Sequence, residues 1–499
     1  VFLEFGSMLV GPLSEALSPE PILASIEDYH GVIVDVQSSL VVQPHAFANA
    51  RWLLARKMSE SGLRSGERVV LALGNGPLFI ATWAAVLMRG GSPVLVHWET
   101  PPAELKRIAQ RFHARFVVTD SVENTALEEV GSTVTTFDDG GWVRVLWADF
   151  GAAHQPVGAY LPLAGVPLHP TSGTTGQPKV AVRPASCAIA EARTYQETIG
   201  IDHHDRVLAL APMSHAFGFG WYVITPLVTG ADIIAVPRFN AKMVFQACQE
   251  WGITIMPAVG AILDSLVFGA GDRLHDPSRR VFTGGAPVSD RTAKNFQKLS
   301  GVRARPLYGA TEAGAIAVVR EDDLSAPRGC VGQPFNHVSV EIRQPEGETH
   351  FENGLGLVHV RSPSVMLGYL IDEQIDSSLL VDGWFNTGDL GWVDENGALH
   401  LRGRHAEVIN VSGMKVLPSE VEEVIAAMPG VKEVKVYAGS TSAGSQHVRA
   451  AVAGDAIDIA HVKAICEQHL VYYKRPSRII VMESLPRSAA GKILRSLLP

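Results

Sequence analysis

Cysteine is scarce: four in 499 residues, at Cys187, Cys248, Cys330 and Cys466, with no CxxC pair. Such spacing excludes a disulfide-stapled fold and a zinc ribbon. Free thiols in a reducing cytosol are expected instead, and with them a cytoplasmic location. An excess of basic residues is missing too: the formal net charge is −9, which supplies no electrostatic ground for nucleic acid or an anionic membrane as partner. Long unbroken apolar runs are absent. The most membrane-like stretch, 217–237, is interrupted by Gly218, Gly220, Pro226 and Gly230 and carries Asp232, so buried helices or strands explain it better than a span. No internal repeat, low-complexity tract or long charged run occurs.

What is present is globular, with 46% hydrophobic and 19% charged residues. The length exceeds one ordinary core, so at least two domains are expected. Val1 to Ser7 reads as a cloning remnant ending in Gly-Ser, with Met8 as the native start and no signal peptide after it.

Along the chain, apolar spacing predicts an amphipathic helix over 44–61, with Pro44 acceptable in its first turn. Arg68 to Leu73 is then a nearly continuous apolar run, as in a buried parallel strand. A helix (79–88) and a second run (93–96) complete a βαβ unit, and the alternation repeats through 105–112 and 116–118. Later strands are expected at 207–210, 233–236, 253–256 and 281–284, with helices at 185–199 and 241–251. The expected class is α/β: a large N-terminal domain of βαβ-type parallel sheets. Between about 330 and 404 short alternating strands with Gly turns suggest a β-rich subdomain. The last hundred or so residues read as a small α+β unit, with a capping box at Ser419 to Glu422 opening a helix.

The chemistry centres on Leu168 to Lys179. Thr171, Ser172, Gly173, Thr174, Thr175 and Gly176 offer hydroxyls and flexible backbone N–H groups suited to wrapping a polyanion, and Lys179 adds a point charge for a terminal phosphate. The Walker A spacing fails: its second Gly falls on Pro178 and its Ser/Thr on Val180. Alone, the segment reads equally well as a Gly/Thr turn between strands.

Further motifs change that reading: Tyr308-Gly309-Ala310-Thr311-Glu312, Trp384 to Asp389, Gly403-Arg404, and Pro486 to Arg495 around Lys492. In this order and at these separations the chain resembles the acyl-CoA synthetase, adenylation-domain and luciferase superfamily of adenylate-forming enzymes. The likeness is greatest to stand-alone acyl- and aryl-CoA ligases, and it runs from about Leu40 to Leu498.

The resemblance implies an ATP- and acid-binding domain over residues 8–403. A mobile C-terminal lid over 404–499, hinged near Ala406, follows. It implies two half-reactions: a carboxylate attacks the α-phosphate of ATP and pyrophosphate leaves, then the thiol of CoA displaces AMP. ATP, Mg²⁺ and CoA are the implied cofactors and co-substrates. Residues 171–179 would hold the pyrophosphate end. Tyr308 would stack on adenine against the turn Gly284-Gly285-Ala286-Pro287, with Gly309 and Ala310 continuing the nucleotide site. Thr311 and Glu312 match the α-phosphate and Mg²⁺ contacts, Asp389 the ribose acceptor, Arg404 its partner, and Lys492 the catalytic lysine. His215 matches the gate beside the carboxylate, and the segment around Gly413 the CoA tunnel. Taken singly, such a His is a satisfied core residue, the Asp a turn residue and the Lys a solvated charge.

The implied acyl pocket comprises His215, Trp221, Val259, Gly285, Gly309, Ala310 and Gly314, expected to be roomy and apolar for an aromatic, alicyclic or medium-chain acid. Several positions depart from the family pattern. Val180 replaces the Gly after the loop lysine, Pro184-Ala185 a Thr-His pair, Pro306 an Asn, and Ala406 the hinge Asp or Lys. Ala216 stands where amino-acid-activating members carry an Asp, so an α-amino acid is not expected. Three rivals remain: loading of a carrier-protein phosphopantetheine, a luciferase-like oxygenase, and a non-catalytic nucleotide-binding regulator. Retention of Lys179, Glu312 and Lys492 weighs against the last.

Overall fold

The computed structural model describes residues 17–120, 124–151, 163, 167–171, 179–269, 274–320, 329–345, 351, 354–411, 414–440, 446–487 and 493–499. The chain divides into two compact units. The first comprises Val1–Ser325, Gln333–Ser339 and Val360–Phe385; the second comprises Ala326–Gly332, Val340–His359 and Asn386–Pro499.

In the first unit, Arg68–Ala72 is buried at every position. Its unbroken Val/Leu character fits a strand covered on both faces. It lies parallel to Ser92–Leu95 on one side and Phe116–Thr119 on the other. Arg144–Asp149 and Thr133–Asp138 complete this sheet antiparallel. Helix Pro77–Met88 is buried along nearly its whole length and carries Pro77 in its first turn, where a missing N–H costs nothing.

A second sheet positions the candidate site. Its strands run in the order Gly314–Val318, Arg305–Ala310, Arg280–Gly284, Ile255–Val259, Arg206–Ala209, Asp232–Ala235, Ile33–Asp35 and Leu40–Val42. All are parallel except the two outermost pairings, which are antiparallel. From Arg206–Ala209 the chain moves to its neighbour Asp232–Ala235, then returns to Ile255–Val259 on the opposite side. That reversal creates a topological switch point at the carboxyl ends of Arg206–Ala209 and Ile255–Val259, where open α/β sheets leave a ligand crevice.

A third, antiparallel sheet runs Gln374–Asp376, Gly368–Ile371, Lys179–Val182, Pro170–Thr171. Thr171 lies opposite Lys179, so both ends of the Gly/Thr loop are held side by side. The 217–237 stretch folds as short helical pieces, Ala216–Phe219, a π turn at Gly220–Ile224, and Thr225–Thr229. Gly230 stops them in the left-handed region (φ 82°). Among the described residues no helix is long and apolar enough to cross a membrane.

In the second unit, Val431–Ser440, Gln446–Gly454 and Arg478–Met482 form a three-stranded sheet. Helices Pro418–Ala426 and Ile459–His469 contribute Val421, Ile425 and Val462 to the core shared with Val436 and Val452. The capping box does not form. Pro418 takes the first helical position, Leu417 caps without a side-chain bond, and the Ser419 hydroxyl donates to the Arg402 carbonyl at 2.6 Å. Glu422 turns instead to the neighbouring strand, accepting the Val436 N–H at 2.9 Å and pairing with Lys435 at 3.1 Å. All four cysteines are free thiols.

Candidate active site

The carboxyl ends of three adjacent parallel strands bring together residues that lie far apart in sequence. Val259 ends one strand, Gly284 the next, and Tyr308 to Ala310 the third. Gly285 follows at φ +82°, and a Cβ there would come within 3.6 Å of the Val259 side chain. The exposed turn Gly285-Ala286-Pro287 thus borders Val259 directly. A Cβ at Gly284 would meet the Phe217 ring at 3.0 Å, so glycine lets that aromatic lie on the strand end. Tyr308 is buried, and a bulge between Tyr308 and Gly309 re-aims the backbone before Thr311 and Glu312.

Glu312 has a partner that the motifs did not disclose. The Tyr369 hydroxyl donates to its Oε1 at 2.5 Å, and the Lys179 ammonium lies over the same tyrosine ring, 5.2 Å from its centroid. Tyr369 is buried and stands on Gly368–Ile371, the strand paired antiparallel with Lys179–Val182. One ring therefore holds the loop lysine on its face and the acidic residue on its edge. A short O–H···O⁻ bond of this kind is charge-assisted and directional.

His215 caps the helical piece Ala216–Phe219, just past the strand end at the switch point. Asn75 positions the approach to it: Nδ2 donates to the carbonyls of Ala211 and Val236, while Oδ1 accepts the Met213 N–H at 2.8 Å. Gly218 is required there, because a Cβ would fall 2.1 Å from the Pro212 carbonyl oxygen. The neighbouring His169 donates from Nδ1 to the Ser214 carbonyl at 2.9 Å. Burial pushes its pKa down to about 3, so the imidazole is neutral with Nε2 as an acceptor. Burial likewise lowers His97, whose ring centroid lies 6.5 Å from that of His215.

The small residues of the expected acyl pocket do not all open space. A Cβ at Gly309 would meet the Gly314 carbonyl at 2.7 Å, and one at Gly314 would collide with Arg183 Nη2 and the Glu191 carboxylate at 2.7–2.9 Å. Gly314 accommodates that ion pair, and its backbone (φ +70°) is itself one that favours glycine. Trp221 is fully buried, its indole 4.2 Å from the Tyr195 ring and 5.3 Å from Phe282. Arg183 and Glu191, paired at 2.6 Å, thus lie directly behind Gly314.

In the second unit, Asp389 and Arg404 face each other across the strands Trp384–Val393 and Leu399–Arg404. Arg404 Nε meets Asp389 Oδ1 at 2.7 Å and Nη1 donates to the Thr387 carbonyl at 3.1 Å. Asp389 is buried; the arginine is about half exposed. Ala406 sits exposed in a short 3-10 turn, His405–Glu407, whose Glu407 pairs with Arg495. Ser172 to Gly176, Gly413 and Lys492 lie outside the described residues, as does the Thr171 side chain.

Among the described residues no cluster of three or more His, Cys, Asp or Glu could cage a metal. One positioned carboxylate is nonetheless the donor set that Mg²⁺ takes when phosphate oxygens and waters complete its shell. Glu312 fits that demand, having one oxygen fixed by Tyr369 and the other outside that bond.

A ligand crevice at a parallel-sheet switch point, beside a lysine-ended Gly/Thr loop and a positioned carboxylate, marks a ligand-binding α/β enzyme. Residues 48–370 match the model of the AMP-binding enzyme family, and 420–492 that of the AMP-binding enzyme C-terminal domain. The chain belongs to this adenylate-forming family. It is 32% identical over 330 residues to a 2-succinylbenzoate–CoA ligase of Enterococcus faecalis, covering 65% of this chain and 67% of that protein. To an indoleacetate–CoA ligase of Aromatoleum aromaticum it is 29% identical over 460 residues, 88% and 89% of the two chains. The O-succinylbenzoate coenzyme A synthetase of Bacillus subtilis, solved with ATP and magnesium, shares the fold at a TM-score of 0.79 and 23% identity, covering 96% and 98%.

Proposed function

We propose that the protein is an ATP-dependent, AMP-forming carboxylic acid:CoA ligase. The observation that carries this reading is the Lys179–Tyr369–Glu312 cluster. It sets a cation for terminal phosphates and a carboxylate for a phosphate-bound metal on one aromatic ring. A phosphoryl-transfer transition state mainly needs its charge neutralised and its reactants aligned, and that is what these groups supply. Mg²⁺, held by Glu312, would neutralise phosphate charge when bound.

In the first half-reaction, the substrate carboxylate attacks the α-phosphorus near Thr311, and the bond to pyrophosphate breaks. Residues 171–179 hold the departing pyrophosphate. The turn 284–287, Tyr308, Gly309 and Ala310 receive adenine, and Asp389 with Arg404 the ribose. Lys492 stabilises charge at the forming bond. In the second, the CoA thiol attacks the acyl carbon, its proton is lost and AMP leaves. The C-terminal lid, from Arg404 onward, alternates between the two steps by turning at Ala406, and Gly413 lets the thiol arm pass close to backbone.

His215, Val259, Gly285, Gly309 and Ala310 receive the acid. The fully buried Trp221 and the ion pair behind Gly314 favour a compact aromatic or alicyclic body over a long chain. The names of the two curated relatives support CoA as the acceptor rather than a carrier protein. The test is incubation with ATP, Mg²⁺, CoA and a panel of carboxylic acids, read by mass. Acyl-CoA and AMP in equal amounts are expected; ADP formation, or thioester on a carrier protein but never on CoA, would overturn the assignment.

A further inference from the structure

A small cavity lies on the Thr311 and Ala216 side of the crevice. Its walls are apolar at Ala216, Phe219 and Ile224 and polar at Arg183, Glu191 and His169. The cavity volume is about 20 Å³, enough for one water or one small polar group.

Charges beside a buried cavity persist only where they are paired and hydrogen-bonded. Arg183 Nη2 pairs with Glu191 Oε2 at 2.6 Å, and Nε donates to the Ser364 carbonyl at 3.0 Å. The Tyr195 hydroxyl donates to Glu191 Oε1 at 3.3 Å. Nη1 is the guanidinium nitrogen left without a hydrogen-bond partner among the described residues. Two glycines make the arrangement possible: a Cβ at Gly314 would strike the pair, and one at Gly220 would press on Glu191 Oε1 at 3.4 Å. Neutral His169 on the same cavity offers an acceptor at Nε2, because its Nδ1–H is spent on the Ser214 carbonyl.

We propose that this cavity is a polar subsite of the acyl pocket. The acid activated there carries a neutral oxygen, a hydroxyl or carbonyl, seated against Arg183 Nη1. The inference rests on the acid-activation reading above. A plain hydrocarbon would displace water and leave Nη1 buried without a partner, the situation that makes a hydrogen-bonding pocket reject an apolar analogue. A second carboxylate would meet Glu191 as well as Arg183 and be repelled by it. A hydroxyl answers both neighbours, accepting from Arg183 and donating to His169.

The experiment uses the full-length enzyme and acid-dependent pyrophosphate exchange with matched trios. Each trio is an aryl acid, its ring-hydroxylated or keto counterpart, and a dicarboxylate of the same size. The wild-type kcat/KM should favour the neutral polar member by about tenfold or more, the discrimination that a hydrogen bond to a charged group supports. Replacing both charges at once, Arg183→Met with Glu191→Leu, avoids stranding one of them and should bring the ratio close to one. Melting curves check that the double variant folds; if it does not, the wild-type ratios decide. A wild-type preference for the hydrocarbon or the dicarboxylate overturns the subsite, as does a folded double variant that keeps the polar preference. Exchange with hydrocarbon acids alone leaves the ligase reading standing. Exchange with no acid removes the reading and this inference together.

Discussion

Tyr369→Phe removes one oxygen from the site and leaves the ring. The lost bond is the 2.5 Å donation to Glu312 Oε1, made by a buried tyrosine to a carboxylate. Hydrogen bonds to charged groups contribute about 1.5–3 kcal/mol, which corresponds to roughly one to two decades in an equilibrium constant. The ring should stay under the Lys179 ammonium, since the phenyl face retains its attraction for a cation. The damage should therefore fall on the placement of Glu312. Outer-shell partners of metal-ligating groups typically cost about 10–100-fold in metal affinity when removed. The half-saturating Mg²⁺ for acid-dependent pyrophosphate exchange should rise by about tenfold or more, while folding stability falls by about 1.5–3 kcal/mol. Calorimetric titration of the enzyme and ATP with Mg²⁺ gives a readout independent of turnover. If both Mg²⁺ responses stay within about twofold of wild type, below the range for outer-shell loss, Glu312 does not depend on Tyr369.

Other expectations follow from single contacts. Lys492→Ala should slow acyl-adenylate synthesis by about 10²–10³ yet still convert supplied acyl-adenylate and CoA to thioester in single turnovers; equal slowing of both halves would contradict domain alternation. Asn75→Ala strands the Met213 N–H and the carbonyls of Ala211 and Val236. Thermal unfolding should show a loss of about 2–4 kcal/mol, with adenylation reduced because His215 follows that segment. Burial alone would raise the pKa of Asp205, but bonds from Arg280, Thr254 and the Asp202 N–H hold it below the ordinary carboxylate value. A depressed folded-state pKa gives stability that is full above the unfolded value, about 3.9, and lost as pH falls through the folded one. Asp205→Asn should thus lower the melting temperature at neutral pH and flatten its fall in acid; an unchanged acid slope would rule out this coupling.

The parts of the fold legible in the sequence are those whose signal is local. Arg68–Ala72 announces a doubly covered strand through five successive buried residues, and helix Ala185–Ile199 has the bounds its spacing predicts. The capping box at Ser419 failed because a proline one residue earlier starts the helix, and a distant carbonyl takes the serine hydroxyl. The π turn at Gly220–Ile224 leaves no periodicity distinct from an ordinary helix over so few residues. Motif order pointed to Asp389 and Arg404, and register pairs them directly. Tyr369 was invisible, since 57 residues separate it from Glu312 and neither neighbour hints at the bond. The Arg183–Glu191 pair was missed for a related reason. It joins the residue just after a strand to a helix, and only the three-dimensional approach of Gly314 reveals why that glycine is small.

The most direct test of the central claim is exchange of labelled pyrophosphate into ATP in the absence of CoA, across carboxylic acids and the twenty amino acids. An adenylate-forming ligase without an ammonium anchor at Ala216 should show exchange that depends on a simple carboxylic acid, requires Mg²⁺ and gives no signal with any α-amino acid. Exchange supported by an amino acid but by no simple acid, or no exchange with any acid while ATP still binds, would contradict the account.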